Sequence, residues 1–120
     1  NCAQAVACSF CQEFGIDENE MFRIAEGFGL GMGVMEMCGA LSGMAMIIGL
    51  SNSRGNTEEG SGSKGDTYKK LTYIQKFKEK NGSCICRELK GVETGKVLCS
   101  CPQCITDAVA LTEEYLAENR

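Results

Sequence analysis

The chain has no histidine and no tryptophan in 120 residues, and only one proline. Without histidine there is no mixed Cys/His zinc site, no histidine-ligated haem and no imidazole general base. Positive charge is not in excess either. The 12 Lys and Arg stand against 16 Asp and Glu, a formal net charge of −4, which argues against nucleic acid as the partner. The densest basic group, Lys69, Lys70, Lys76, Lys78 and Lys80, falls on one predicted helix and reads as a solvated face. No apolar run is both long and unbroken. Between Phe28 and Leu50 only Glu36 is charged, but glycines interrupt the start and leave roughly 14 to 16 residues, short for a membrane span. No cationic stretch, apolar core and small-residue cleavage site open the sequence, which begins at Asn1, and a cytoplasmic setting is the expectation.

What the chain has in abundance is cysteine, nine in all. That density belongs either to secreted disulfide scaffolds or to thiolate ligation and thiol redox chemistry. Scaffolds tend to be short, loop-rich and even in count. This chain has an odd count and long helical patterns, which favours ligation or redox. Any catalysis would then be thiol or cofactor chemistry.

The expected fold is all-α, one domain over residues 1–120: a small bundle of about five helices with a glycine-rich turn before a buried central helix. Residues 2–14 read as a buried helix stopped by Gly15. Asp17 followed by Glu20 predicts a capped helix start, and Met21, Ile24, Ala25 and Phe28 form an apolar stripe at helical spacing. Gly27, Gly29, Gly31 and Gly33 alternate, which predicts an irregular turn. They are no phosphate-binding loop, since no strand precedes them and no lysine follows. The central helix is expected from Val34 or Met35 to Leu50, with Met35, Met37, Met44 and Met46 as adaptable core packing. Residues 51–65, rich in glycine, serine and charge, read as a loop. A further helix starts at Asp66 or Thr67, keeps Tyr68, Leu71, Ile74 and Phe77 in period, and ends at Asn81-Gly82. A short turn closes at Gly91, a loop with extended character follows, and Pro102 suits the first position of a last helix to about Glu118.

Against this outline four cysteines share a placement. Cys2, Cys38, Cys86 and Cys104 each fall at or near a predicted helix start, where unpaired N–H groups favour thiolate over thiol. Gly39 and Gly43, four apart beside Cys38, share a helix face. Two glycines there cost roughly 1 kcal/mol each against alanine. The expectation is that something approaches that face closely, either a helix or an inorganic group. The remaining cysteines include Cys84, Cys99 and Cys101 as secondary thiols, and two C-x-x-C pairs, Cys8/Cys11 and Cys101/Cys104. The first pair is expected inside a helix and the second at a helix start, the better place for a dithiol.

Several segments together carry a family resemblance. They are Asn1-Cys2-Ala3-Gln4-Ala5-Val6, Gly31-Met32-Gly33, Cys38-Gly39-Ala40-Leu41-Ser42-Gly43, Cys86-Arg87-Glu88-Leu89-Lys90-Gly91, and Cys104 before Asp107-Ala108-Val109. The chain resembles the redox-active proteins of the C_GCAxxG_C_C family over nearly its whole length, with that family's four cysteines in order. The resemblance implies an all-helical domain with a redox or iron–sulfur role, generally in anaerobic microbes. In the related split-Soret cytochromes the corresponding domain carries a two-iron, two-sulfur cluster. This chain differs from those in having no C-x-x-C-H for haem attachment.

The favoured expectation is an electron-transfer domain holding a 2Fe-2S cluster through Cys2, Cys38, Cys86 and Cys104, with Gly39 and Gly43 close by. The alternatives are a cofactor-free thiol–disulfide protein and a structural zinc–thiolate domain. A redox protein partner of unspecified identity and a homodimer complete the expectations.

Overall fold

The computed structural model describes residues 1–57 and 62–119. It is all-α, with an isolated antiparallel bridge between Met37 and Ile85. The helices are α1 (Cys2–Cys8), α2 (Cys11–Phe14), α3 (Glu18–Ala25), α4 (Gly39–Asn52), α5 (Ser63–Lys70), α6 (Tyr73–Asn81), α7 (Cys86–Lys90) and α8 (Cys101–Glu118).

Helix α4 is the axis of the bundle. Ala40, Leu41, Met44, Ile47 and Ile48 are fully enclosed, and its other faces are mostly half-covered, as expected of a helix apolar all round. It begins later than the sequence pattern suggested. Leu30, Met32 and Met35 adopt positive φ (52°, 59° and 58°), which breaks helical hydrogen bonding, so the helix starts only after Cys38. Met35 and Met37 therefore precede the helix and are half-buried, and Met44 alone of the four methionines is fully enclosed.

Helix α1 lies directly against α4. A β-carbon at Gly43 would sit 2.8 Å from the Ala3 carbonyl oxygen and 2.9 Å from Val6 Cβ. One at Gly39 would sit 2.9 Å from the Phe28 carbonyl oxygen and 3.3 Å from the Ala3 nitrogen. The missing side chains are therefore filled by α1 and by the turn after α3. A reciprocal cap fixes the start of α1: the Gln4 N–H donates to Asn1 Oδ1 at 3.0 Å, and the Asn1 nitrogen to Gln4 Oε1 at 2.7 Å.

Asp17 caps α3 through the Glu20 N–H, as its spacing implied. Ile24 departs from the expected stripe: it is exposed, because Met21 and Ala25 are the α3 side chains buried against α1. Two expected helices each divide, the first at Ser9-Phe10 and the later one at Leu71-Thr72. The later helix also begins earlier than Asp66. Ser63 is buried at its start, and Asn52 Nδ2 donates to Thr67 Oγ1 at 2.8 Å, so α5 is tied back to the end of α4. The loop expected over 51–65 is thus shorter at both ends, and its residues 58–61 lie outside those described. Tyr68, expected in period, is exposed. Residues 92–95 turn, 96–97 have no regular assignment and no strand forms there, while Ser100 is extended.

Helix α8 packs on α4 and α6 through Ala108, Thr112, Tyr115 and Leu116. The Tyr115 and Tyr73 rings meet edge to face with centroids 5.4 Å apart, and the Tyr115 hydroxyl pairs with Ser51 at 2.9 Å. Buried Asp107 accepts from Lys80 Nζ at 2.7 Å, Gln103 Nε2 at 2.8 Å and Asn81 Nδ2 at 3.2 Å, fastening the start of α8 to the end of α6. Burial alone would raise this carboxyl, but its three donors outweigh that and hold it below the ordinary aspartate value.

Two outcomes follow. Gly43→Ala should destabilise the protein by about 1–3 kcal/mol in urea unfolding, overpacking the α1–α4 contact despite alanine's better helix propensity; equal stability would contradict the close approach. Because the folded-state pKa of Asp107 is depressed, its contribution is complete above the unfolded value of about 3.9 and fades as pH falls through the lower folded value. Asp107→Asn should therefore cost roughly 2 kcal/mol at pH 7 and flatten the acid limb of the stability profile.

Candidate functional site

The irregular 30–38 stretch and the 83–86 segment are joined by two backbone hydrogen bonds. The Cys38 N–H donates to the Cys84 carbonyl at 2.9 Å and the Cys86 N–H to the Glu36 carbonyl at 2.6 Å, flanking the Met37–Ile85 pair. Each strand of this small bridge runs straight into a helix start, so Cys38 becomes the N-cap of α4 and Cys86 the first residue of α7. Gly91, at φ 70°, ends α7 in the left-handed turn, and the Leu98 and Cys99 N–H groups both turn back to the Leu89 carbonyl. That return brings Cys99 beside α7 and delivers the chain to Ser100, which caps α8 through the Gln103 N–H.

The result is a cavity of about 300 Å³ with mainly apolar walls, onto which Cys2, Cys38, Cys86, Cys99, Cys101 and Cys104 all open. The four cysteines singled out from the sequence are thus brought together, with two of the three secondary thiols. Cys84 is not part of the wall; its carbonyl serves the bridge and its side chain packs on the core. Gly39 lines the cavity, whereas Gly43 lies a turn deeper against α1. Cys38, Cys86, Cys99 and Cys104 are buried, Cys2 is half-buried, and Cys101 is exposed at the rim. All nine thiols are unpaired. Among the described residues no three Cys, Asp or Glu side chains are already drawn around one point closely enough to hold a metal ion.

The thiols are not electrostatically alike. The Cys104 thiol, which also reaches the Cys99 carbonyl at 3.8 Å, faces the Cys38 sulfur as a donor, and although burial opposes ionisation, the Ala40 and Leu41 N–H groups at the start of α4 face it too. Together they pull Cys38 down to about 6. Cys104 is pushed up because its proton is held by Cys38 and because it is buried. Burial, with Cys101 and Cys38 close by, pushes Cys2 up to about 11. Burial raises Cys86 too, opposed by the Lys90 ammonium. Of these thiols Cys38 is therefore the one drawn toward the thiolate, while Cys2, Cys86 and Cys104 are held toward the thiol.

Leu30, Leu89 and Lys90 belong to the cavity and were not singled out from the sequence. Lys90 had a readable signal, since it stands four residues after Cys86 on one helix. Leu30 had none, because its place depends on the positive-φ turn.

The model of the family described as "Putative redox-active protein (C_GCAxxG_C_C)" matches residues 1–115. No curated protein and no solved structure matches the chain.

Alkylation of the metal-free protein should show Cys38 reacting with a midpoint near pH 6, well before Cys2, in residue-resolved mass spectrometry with iodoacetamide. Cys104→Ala should raise that midpoint by about 1–2 units, the worth of one hydrogen bond to a charged group. An unchanged midpoint would mean that the Cys104 proton does not stabilise the thiolate.

Proposed function

The chain belongs to the C_GCAxxG_C_C family, and from that footing we propose that its thiol-lined cavity is a redox centre holding an iron–sulfur cluster of the two-iron, two-sulfur kind. Cys2, Cys38, Cys86 and Cys104 would hold it, four being the number of terminal thiolates such a cluster takes. The observation that carries this reading is the convergence of those cysteines, from four separate helix starts, onto one small apolar cavity.

The donors present suit the group. They are soft sulfur ligands, the kind that selects iron–sulfur clusters and zinc. Each can re-aim by rotation about one side-chain bond, which is what closing around a cluster would require. The apolar wall would keep water from the sulfurs, and N–H groups at the start of α4 would donate to them, both of which tune a potential. Lys90 supplies positive charge beside Cys86. When bound, the cluster would supply one-electron chemistry; the chain's own part is to bind, shield and set the potential, with no acid or base required. A redox protein would be the electron partner, meeting the cavity at its exposed rim near Cys101.

One observation favours a second reading. The hydrogen-bonded Cys38 thiolate and Cys104 thiol form a nucleophile and a neighbouring thiol without any cofactor, as in thiol–disulfide exchange. A structural zinc–thiolate site would use the same donors.

Protein purified without oxygen should be brown and contain about two irons and two acid-labile sulfides per chain. Cys38→Ser should lose most of that iron. Colourless protein with titratable thiols would favour the second reading, and zinc without iron, with unfolding on chelation, the structural one.

A further inference from the structure

A second pair of thiols lies outside the cavity, at the opposite end of α1. Cys8 is the last residue of α1 and Cys11 the first of α2, so Cys8-Ser9-Phe10-Cys11 spans the break between the two helices rather than sitting inside one. The Cys8 sulfur stands close enough to Cys11 to oppose its ionisation, while Cys11 Sγ donates to the Ala7 carbonyl at 3.7 Å and Cys8 Sγ to the Glu18 carbonyl at 3.9 Å. Cys11 is buried among Ala3, Ala7, Met21 and Ala25, whereas Cys8 is half-exposed. Cys8 also opens on a surface hollow of about 430 Å³, whose wall includes Gln4, Ser9, Glu18 and Phe22. An accessible thiol on a hollow, with a buried thiol behind it across a helix break, is the arrangement that disulfide exchange requires.

We propose that Cys8 and Cys11 are a second redox site, independent of the cavity, which reduces small disulfides bearing positive charge. The charge preference comes from Glu18 in the wall of the hollow, whose carboxylate opposes the Cys8 thiolate more strongly than the Asn1 amino group, in the same wall, favours it. A cationic substrate offsets that carboxylate as it binds; an anionic one adds to the repulsion. In the first step Cys8 loses its proton to solvent and its sulfur attacks one sulfur of the substrate. A Cys8–substrate disulfide forms, the substrate's S–S bond breaks, and the released thiolate takes up a proton. Cys11, likewise deprotonated, then attacks the Cys8 sulfur, forming the Cys8–Cys11 bond and releasing the second half as a thiol. The protein loses two electrons and two protons, and the disulfide becomes two thiols. The helix break matters here. Disulfide bonding needs β-carbons about 3.5–4.5 Å apart, closer than the roughly 5–6 Å of i, i+3 neighbours on an intact helix. Phe10, at φ −114° and ψ 4°, lies outside regular helix and is the place where the chain can tighten.

The test uses the full chain, reduced and free of oxygen, with cystamine as the cationic disulfide and 3,3′-dithiodipropionate as the anionic one. Non-reducing peptide mapping should find a Cys8–Cys11 disulfide and two cysteamines released. The rate with cystamine should exceed that with the anionic disulfide by about tenfold, and Glu18→Gln should remove most of the difference. Cys11→Ser should accumulate the mixed disulfide on Cys8, and Cys8→Ser should leave Cys11 unmodified. The proposal is overturned if Cys8 and Cys11 stay alkylatable while cavity thiols oxidise, or if the two disulfides react equally. Iron and sulfide content is read separately. Cys8→Ser should load as the unsubstituted chain does, so failure of this site and failure of the cluster reading give different results.

Discussion

The close approach of α1 to α4 is the contact on which the rest of the molecule depends. It exists because Gly39 and Gly43 leave no side chain on the face that α1 occupies, so the Ala3 carbonyl and the Val6 side chain lie where β-carbons would otherwise be. With α1 held there, Cys2 at its start falls beside Cys38 at the start of α4, and both reach the same cavity. The two-bond bridge between 36–38 and 84–86 then adds Cys86 by backbone geometry alone. Helix α8, fastened to α6 by Asp107 and its three donors, adds Cys104 and Cys101. Three unrelated devices, a helix contact without side chains, a bridge and a buried carboxylate, thus serve one point.

Crowding six thiols into an apolar space has an electrostatic consequence. Removing a thiolate from water is costly, and a second negative charge nearby makes the next ionisation harder. The cavity resolves this by favouring ionisation of Cys38, where the N–H groups of α4 and the Cys104 proton face it, and by disfavouring that of Cys104 and Cys2. A positively charged metal centre would reverse that balance, because it neutralises the thiolates it gathers. That is the physical reason a cluster-binding centre and a thiol-exchange centre can have the same donors and differ in what sits between them.

The two ends of α1 show the same pattern in different surroundings. At each end one cysteine stands close enough to another to oppose its ionisation, Cys101 beside Cys2 at one and Cys8 beside Cys11 at the other. The first pair opens on the cavity shared by six thiols, the second on a separate surface hollow. Access, rather than the cysteine pair itself, is what distinguishes them.

The sequence by itself determined the helical class, the buried character of α4, the cap at Asp17 and the stops at Gly15, Gly82 and Gly91, because these are local matters of periodicity, side-chain hydrogen bonding and the backbone freedom of glycine. It also placed four cysteines at helix starts. It could not fix where α4 begins, since Leu30, Met32 and Met35 take positive φ, which non-glycine residues rarely adopt and residue type does not announce. Nor could it separate the thiols that share the cavity from Cys84, two residues from Cys86, or show that Cys8 and Cys11 stand across a helix break. Spacing along the chain fixes which way a side chain points on its own helix. Which helices meet, and therefore which sulfurs share a cavity, was decided only by tertiary packing, through contacts between residues far apart in the sequence.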